Sequence, residues 1–476
     1  MFRLISIVFL LLILAFPASS QPPFVLPVRE RITPANAGEL SLYMMHSRRA
    51  DRLLWSPGAS LLAVSDATDI DLYSVTDWLL PPLRIRLDQT LTDFAFSADG
   101  QRLYTLIPGS LVAWNTADAT MSDRFIADAR RLAVSPNGQQ IALLSRQNVI
   151  QIVTAESRKT YTITPTITPD DVAFSTDGRR LFVTDGAGGG EIIDLALRST
   201  ERVLGEPAAS PSVTLLLSAA YTGDGRRILS QPADGNIALS IWDARSGEAQ
   251  APLNRPAEFQ RVNGWGLNTR AGIAAGAGIG MAPEQSAVLI WPLTGGDPLA
   301  RLRHPGVRDA QPSPDGTLIA SVGGGTLRLW TTAGSLPLPE QTMQLSQVNV
   351  VAACDVFGVQ PSLGELLDGQ SVSLVWSWYA QTQKQVRDYL DAAIVVLDLD
   401  GLNIRPWIFI TQTLPDEVND GHPTVYMYAP VGPLTLGQHV SRVGVTWVQP
   451  ISDGFADYGP GTPNLSDGGV CNFTAR

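Results

Sequence analysis

Basic residues are outnumbered in this 476-residue chain, where 34 Lys and Arg stand against 45 Asp and Glu for a formal net charge of −11. That balance excludes a protein built to neutralise a phosphate backbone, which needs clustered Lys and Arg. Lysine is nearly missing, with Lys159 and Lys384 its only copies, an arginine bias to which no function is attached. Histidine is almost as scarce: His46, His304, His422 and His439 are the only four. Hydrolytic general bases are most often histidine, and the Gly-x-Ser-x-Gly nucleophile elbow is absent.

Long apolar runs are lacking except at the start, where Leu4 to Phe16 follows Arg3 and precedes Pro17-Ala18-Ser19-Ser20. This run is shorter than the ~20 residues that cross a bilayer, and its flanks have the layout of a signal peptide cleaved near Ser20/Gln21. The expectation is a secreted or extracytoplasmic protein with residues 1–20 removed and no membrane span. Cysteine is limited to Cys354 and Cys471, both late in the chain, and an exported chain meets a compartment in which they can pair.

What is abundant is one turn. It stands as Ser97-Ala98-Asp99-Gly100, Ser135-Pro136-Asn137-Gly138, Ser175-Thr176-Asp177-Gly178, Thr222-Gly223-Asp224-Gly225 and Ser313-Pro314-Asp315-Gly316, with a shortened copy at Ser56-Pro57-Gly58 and a degenerate one near Asn268. Each is flanked by short apolar runs and so reads as a hairpin loop. The copies recur every 38 to 47 residues, the spacing of four-stranded propeller blades, and seven copies predict seven blades.

Within a repeat the third strand often closes on tryptophan, as in Leu111 to Trp114, Leu239 to Trp242, Val288 to Trp291 and Leu327 to Trp330. The Ser-Pro-Asp-Gly turn followed by such a strand resembles the WD40 repeat family, and Trp242-Asp243 keeps its dipeptide. The resemblance covers residues 38–335 and implies a closed propeller. His46 and His304 match the family's Gly-His position. Pro108, Gln285 and Gly324 stand where the family has aspartate, so its buried hydrogen-bonded tetrad is expected to be incomplete in those blades.

The seventh repeat is one strand short before the proline-rich linker 336–346. The unpaired alternating segment Leu40 to Met45, after the extended lead 21–37, is expected to complete it and close the ring. Beyond the linker, residues 347–476 read as a second domain, an immunoglobulin-like β-sandwich. Its strands are expected at Val348 to Val356, Val372 to Tyr379, Ala393 to Leu399, Ile404 to Thr411, Thr424 to Tyr428 and His439 to Val448, with a short helix over Thr382 to Ala392. Cys354 in the first strand and Cys471 in the last are expected to form a disulfide closing a 117-residue loop, worth up to about 4–5 kcal/mol in the loop-entropy treatment.

Candidate sites have bland competitors. The carboxylates of Asp398-Leu399-Asp400-Gly401 and Asp416 to Gly421 suit solvated turns better than a calcium loop, because Val418 occupies a ligand position. The glycine run Gly272 to Gly280 lies where a blade strand belongs and no helix follows, so it reads as close packing rather than a dinucleotide loop. Trp376, Trp378, Tyr379 and Trp407 fit a core better than a sugar shelf, and Asn464-Leu465-Ser466 and Asn472-Phe473-Thr474 match glycosylation acceptors. No catalytic, cofactor or metal residues are therefore assigned. The expected function is an exported, monomeric, non-enzymatic binding scaffold with a protein or extracellular ligand as partner. The alternatives are an extracellular propeller enzyme and a carbohydrate-binding protein.

Overall fold

The computed structural model describes residues 29–77, 80–154, 158–185, 188–205, 219–232, 236–332, 348–357, 371–416 and 419–475. The leader at 1–20 and the linker at 336–346 lie outside them. Six four-stranded antiparallel sheets follow one another along the chain, beginning with Arg52–Trp55, Leu61–Ser65, Asp69–Ser74 and Leu83–Arg86. A seventh contains Val307–Pro312, Ile319–Gly323 and Thr326–Thr332, and its fourth strand is Leu40–Ser47, antiparallel to Thr326–Thr332.

The repeated turn forms each blade's first hairpin, and its chemistry is the same at every full copy. In blade two, Ser97 Oγ donates to Asp99 Oδ1 (2.5 Å), Asp99 Oδ1 accepts Gln101 N (3.0 Å), and Ser97 Oγ accepts Arg102 N (2.9 Å). Gly100 closes the turn at φ 71°, a left-handed conformation that glycine adopts without a Cβ penalty. In the degenerate sixth copy Asn268 takes over: its Oδ1 accepts Ala271 N (2.8 Å) and its Nδ2 donates to Ser313 O (2.7 Å) in the next blade. The glycines after it, Gly276 and Gly278, make room for Trp265, Val262, Phe259 and Leu289, so this run is a packing feature of the sixth blade's second strand.

The C-terminal domain has two four-stranded layers. One contains Ile408–Asp416, His422–Pro433, Ser371–Tyr379 and Val348–Val351, the last pairing parallel. The other contains Leu402–Ile404, Ala393–Leu399, Gly437–Trp447 and Ser466–Ala475. The helix Gln383–Ala392 starts with a capping box, Thr382 Oγ1 accepting Gln385 N (3.3 Å) and Gln385 Oε1 accepting Thr382 N (2.9 Å).

Two strand expectations are corrected. Val348–Val351 ends early, and Cys354 opens a short helix, Cys354–Phe357, whose Asp355 Oδ1 accepts Val470 N (2.7 Å). Cys354 and Cys471 are disulfide-bonded, tying that helix to the last strand. The stretch Ile404 to Thr411 is not one strand. Pro406 cannot donate a ladder hydrogen bond, and the chain crosses there from one layer to the other.

The first layer does not stop at the domain edge. Leu40–Ser47, already bonded to blade seven, pairs on its other side with Ile408–Asp416 through Met44–Phe409 and Met45–Ile408, giving one continuous eight-stranded sheet. Buried Met44, Trp55, Leu327, Trp407 and Phe409 share one apolar cluster across the junction. Polar contacts reinforce it. Arg328, 3% exposed, donates from Nη2 to Asp391 O (2.9 Å), and Arg303 Nη1 lies 3.2 Å from Asp388 Oδ1, so the helix docks on the propeller through its acidic side.

Candidate functional site

The innermost strands of the blades surround a central cavity of about 290 Å³, lined among others by Arg52, Asp93, Arg131, Asp171, Gly264 and Asp309. Its charged groups bond between neighbouring blades. Arg52 Nη2 meets Asp93 Oδ1 (2.6 Å), and Asp93 Oδ2 accepts Leu132 N (2.9 Å). Arg131 Nε stands 3.8 Å from Asp171 Oδ1. Asp309 Oδ2 accepts Leu53 N (2.9 Å), while Gln311 Nε2 donates to Leu53 O (2.8 Å), so this pair of bonds joins blade seven to blade one. Burial pushes the Asp309 carboxyl up to about 6 against the pull of the Leu53 amide and Arg52. The channel carboxylates are thus fasteners of the ring. Nothing in the single positions of Asp93, Asp171 or Asp309 announces this in the sequence; their common place on inner strands, each four residues before a turn serine (Ser97, Ser175, Ser313), is the signal that was available.

His304 behaves as the repeat position implies. Trp330 Nε1 donates to Ser321 Oγ (2.8 Å), and that hydroxyl lies 2.9 Å from His304 Nδ1. His304 Nε2 lies 3.0 Å from Gly323 O, an acceptor only, so Nε2 carries the proton and Nδ1 accepts from Ser321. Full burial and the nearby Arg328 charge hold this imidazole well below its ordinary pKa and therefore neutral. The aspartate that would end the chain of bonds is replaced by the Gly323 carbonyl and Thr326 Oγ1 (3.1 Å). Shorter versions recur as Trp114 Nε1 to Thr105 Oγ1 (2.9 Å) and Trp242 Nε1 to Ser230 Oγ (2.9 Å).

Residues 296–331 match the family model of the WD domain, G-beta repeat, spanning the outer strand of blade six and three strands of blade seven. The ring is a WD40-like β-propeller. Its arrangement is also that of the β-propeller domain of Cps50 (Swd1) from Myceliophteria thermophila, a solved structure matched at a TM-score of 0.50 and 16% identity, over 61% of this chain and 99% of that one. That likeness is one of fold. No curated protein matches the chain.

Between blades two and three the WD40-like propeller carries a side groove of about 740 Å³ with Tyr104, Leu111, Phe125, Leu143 and Val153 in its walls. Arg158 sits at its rim, paired with Asp123 and placed 4.8 Å over the Phe125 ring. The outer strand of blade two, Met121–Ile126, is terminal in its sheet and borders the groove. Ile126 is 98% exposed and Met121 56% exposed there. Sequence reading missed this groove, because it is made by two blades meeting and no single repeat encodes it.

The other sequence candidates are dispersed. His46 is buried between the rings of Tyr73 and Trp407, at 5.3 and 5.2 Å, and is not part of a blade's serine–tryptophan relay. Asp398 Oδ1 meets Arg442 Nη1 (3.1 Å), and Asp400 Oδ2 meets His439 Nδ1 (2.7 Å). In the Asp416 to Gly421 turn, Glu417 and Val418 lie outside the described residues. Trp376, Trp378 and Trp407 are buried. Tyr379 is exposed and clusters with His422 (6.3 Å) and exposed Phe455 (5.9 Å).

Proposed function

We propose that this chain is an exported, non-enzymatic binding scaffold whose propeller holds an extended segment of a protein partner along the groove between blades two and three. The observation that carries the reading is Met121–Ile126, an edge strand whose outer ladder side is unpaired among the described residues and, with projecting Ile126, borders that groove. Exposed edges normally attract pairing, and extended peptides bind by adding a strand while side chains enter adjoining pockets. The channel supports a scaffold over an enzyme, since Asp93 and Asp309 already accept backbone amides from neighbouring blades.

A second reading, glycan binding by the C-terminal β-strand layers, is favoured by the Tyr379–His422–Phe455 cluster. Gln381 N to Asp453 O (2.9 Å) and Ala380 N to Pro423 O (3.1 Å) tie its three segments together, which holds the rings ready for stacking.

Capture of partners from the source organism's envelope and medium tests both. A Met121→Glu/Ile126→Glu chain is expected to lose the partner that a Tyr379→Ala/Phe455→Ala chain retains. The opposite pattern would overturn the first reading in favour of the second.

A further inference from the structure

A cavity of about 270 Å³ lies where the closing strand, the Pro81–Pro82 segment of blade one and the Arg405–Trp407 crossover of the C-terminal domain meet. We propose that it binds a small carboxylate anion with an apolar body. Three observations converge on that chemistry. Its walls are mainly apolar and stiff, with Pro81, Pro82, Pro406, Trp407 and Pro430 among them. Prolines and a buried indole lose little freedom when a ligand settles against them.

The cavity's cation is Arg405. It is exposed and forms no ion pair among the described residues, while its charge acts on both His46 and Tyr73. The nearby carboxylate, Asp71, is already held by Arg48 Nε (2.8 Å) and Arg84 Nε (2.7 Å). A guanidinium left over beside an apolar cavity favours an anion, and its planar fork fits a carboxylate.

His46 supplies the third observation. It lines the cavity, is 5% exposed, and its Nδ1 has no hydrogen-bond partner among the described residues; nor, among them, does the hydroxyl of adjacent Tyr73, 1% exposed. An orphaned polar atom is costly in a protein interior; a carboxylate oxygen satisfies Nδ1 of His46 in the tautomer that carries the proton there, and a water brought in by the guest satisfies it in the other. Burial pushes His46 down to about 4, so the imidazole is neutral near pH 7 and Arg405 alone sets the sign. The volume lies just below the range of about 300–1,000 Å³ typical for drug-sized ligands, which limits the guest to a small one.

The test is calorimetric titration of the full chain with benzoate, and with benzamide as its neutral counterpart. Benzoate is expected to bind saturably and benzamide at least about tenfold more weakly, the usual effect of losing one charge-assisted contact. Arg405→Gln, at an exposed position, is expected to weaken benzoate by about tenfold with an unchanged thermal midpoint. Val431→Trp is expected to fill the cavity and abolish binding. Absence of saturable benzoate binding, equal binding of benzamide, or binding that survives both substitutions would overturn the proposal.

Discussion

Met44 faces Phe409 across an antiparallel ladder, and on its other side it faces Leu329 of blade seven. A segment near the start of the chain is therefore bonded at once to the last propeller blade and to the C-terminal domain. In a propeller closed by its terminal strand, the free edge of that strand is ordinarily the end of the sheet. Here that edge is occupied, so the two domains share a sheet and an apolar cluster.

This sharing predicts coupled stability. Met44→Pro removes a ladder donor and a fully buried side chain, a loss of about 3 kcal/mol or more judged from large core truncations. Exchange protection is expected to fall in both Thr326–Thr332 and Ile408–Asp416. Protection retained in Ile408–Asp416 while blade seven loosens would contradict the shared role.

Ring closure at the channel predicts a specific non-additivity. A Cβ at Gly264 would collide with the Asp309 carboxylate, which must stay where Leu53 N reaches it. Gly264→Ala is expected to cost about 1–3 kcal/mol, as overpacking does. In an Asp309→Ala background the same change should cost clearly less, because the obstructing group is gone. Equal costs in the two backgrounds, read from denaturant unfolding, would refute the contact.

His46 predicts a pH dependence. Its pKa falls from 6.5 to about 4 on folding, chiefly through burial, so the folded state resists protonation. The stability it confers is complete above pH 6.5 and is lost as the pH drops toward 4. Between pH 7.5 and 5 this amounts to about 2 kcal/mol. Asp309 and Asp391, both raised to about 6 by burial, work in the opposite direction, but they are common to wild type and a His46→Phe variant. The wild type is therefore expected to lose more stability than the variant over that interval; identical pH profiles would count against a neutral buried His46.

The blades were legible because their signal is local and repeated. Ser97, Asp99 and Gly100 determine a turn whatever surrounds them, and the same bonds recur at Ser175, Thr222 and Ser313. The incomplete tetrad was legible for the same reason, since Gly324 sits at a fixed offset from Trp330. What the sequence hid depends on contacts between distant segments. Alternation marks Leu40–Ser47 as a strand but carries no sign of a second partner on its far edge. Nor does anything near Cys354 show that the strand before it stops at Val351. The groove and the Arg405 cavity each need two or three separate segments, so no window of sequence contains either. Pro406 was the one overlooked local cue, a residue that should have divided Ile404 from Thr411.

The central claim is that the propeller binds a protein partner along the outer strand of blade two. Amide exchange on the complex captured by the full chain tests it most directly. Protection gained over Met121–Ile126 and Thr160–Ile163, on the two sides of the groove, is the predicted result. Protection confined to the neighbourhood of Tyr379, His422 and Phe455, with the blade-two edge exchanging as in the free protein, would contradict it.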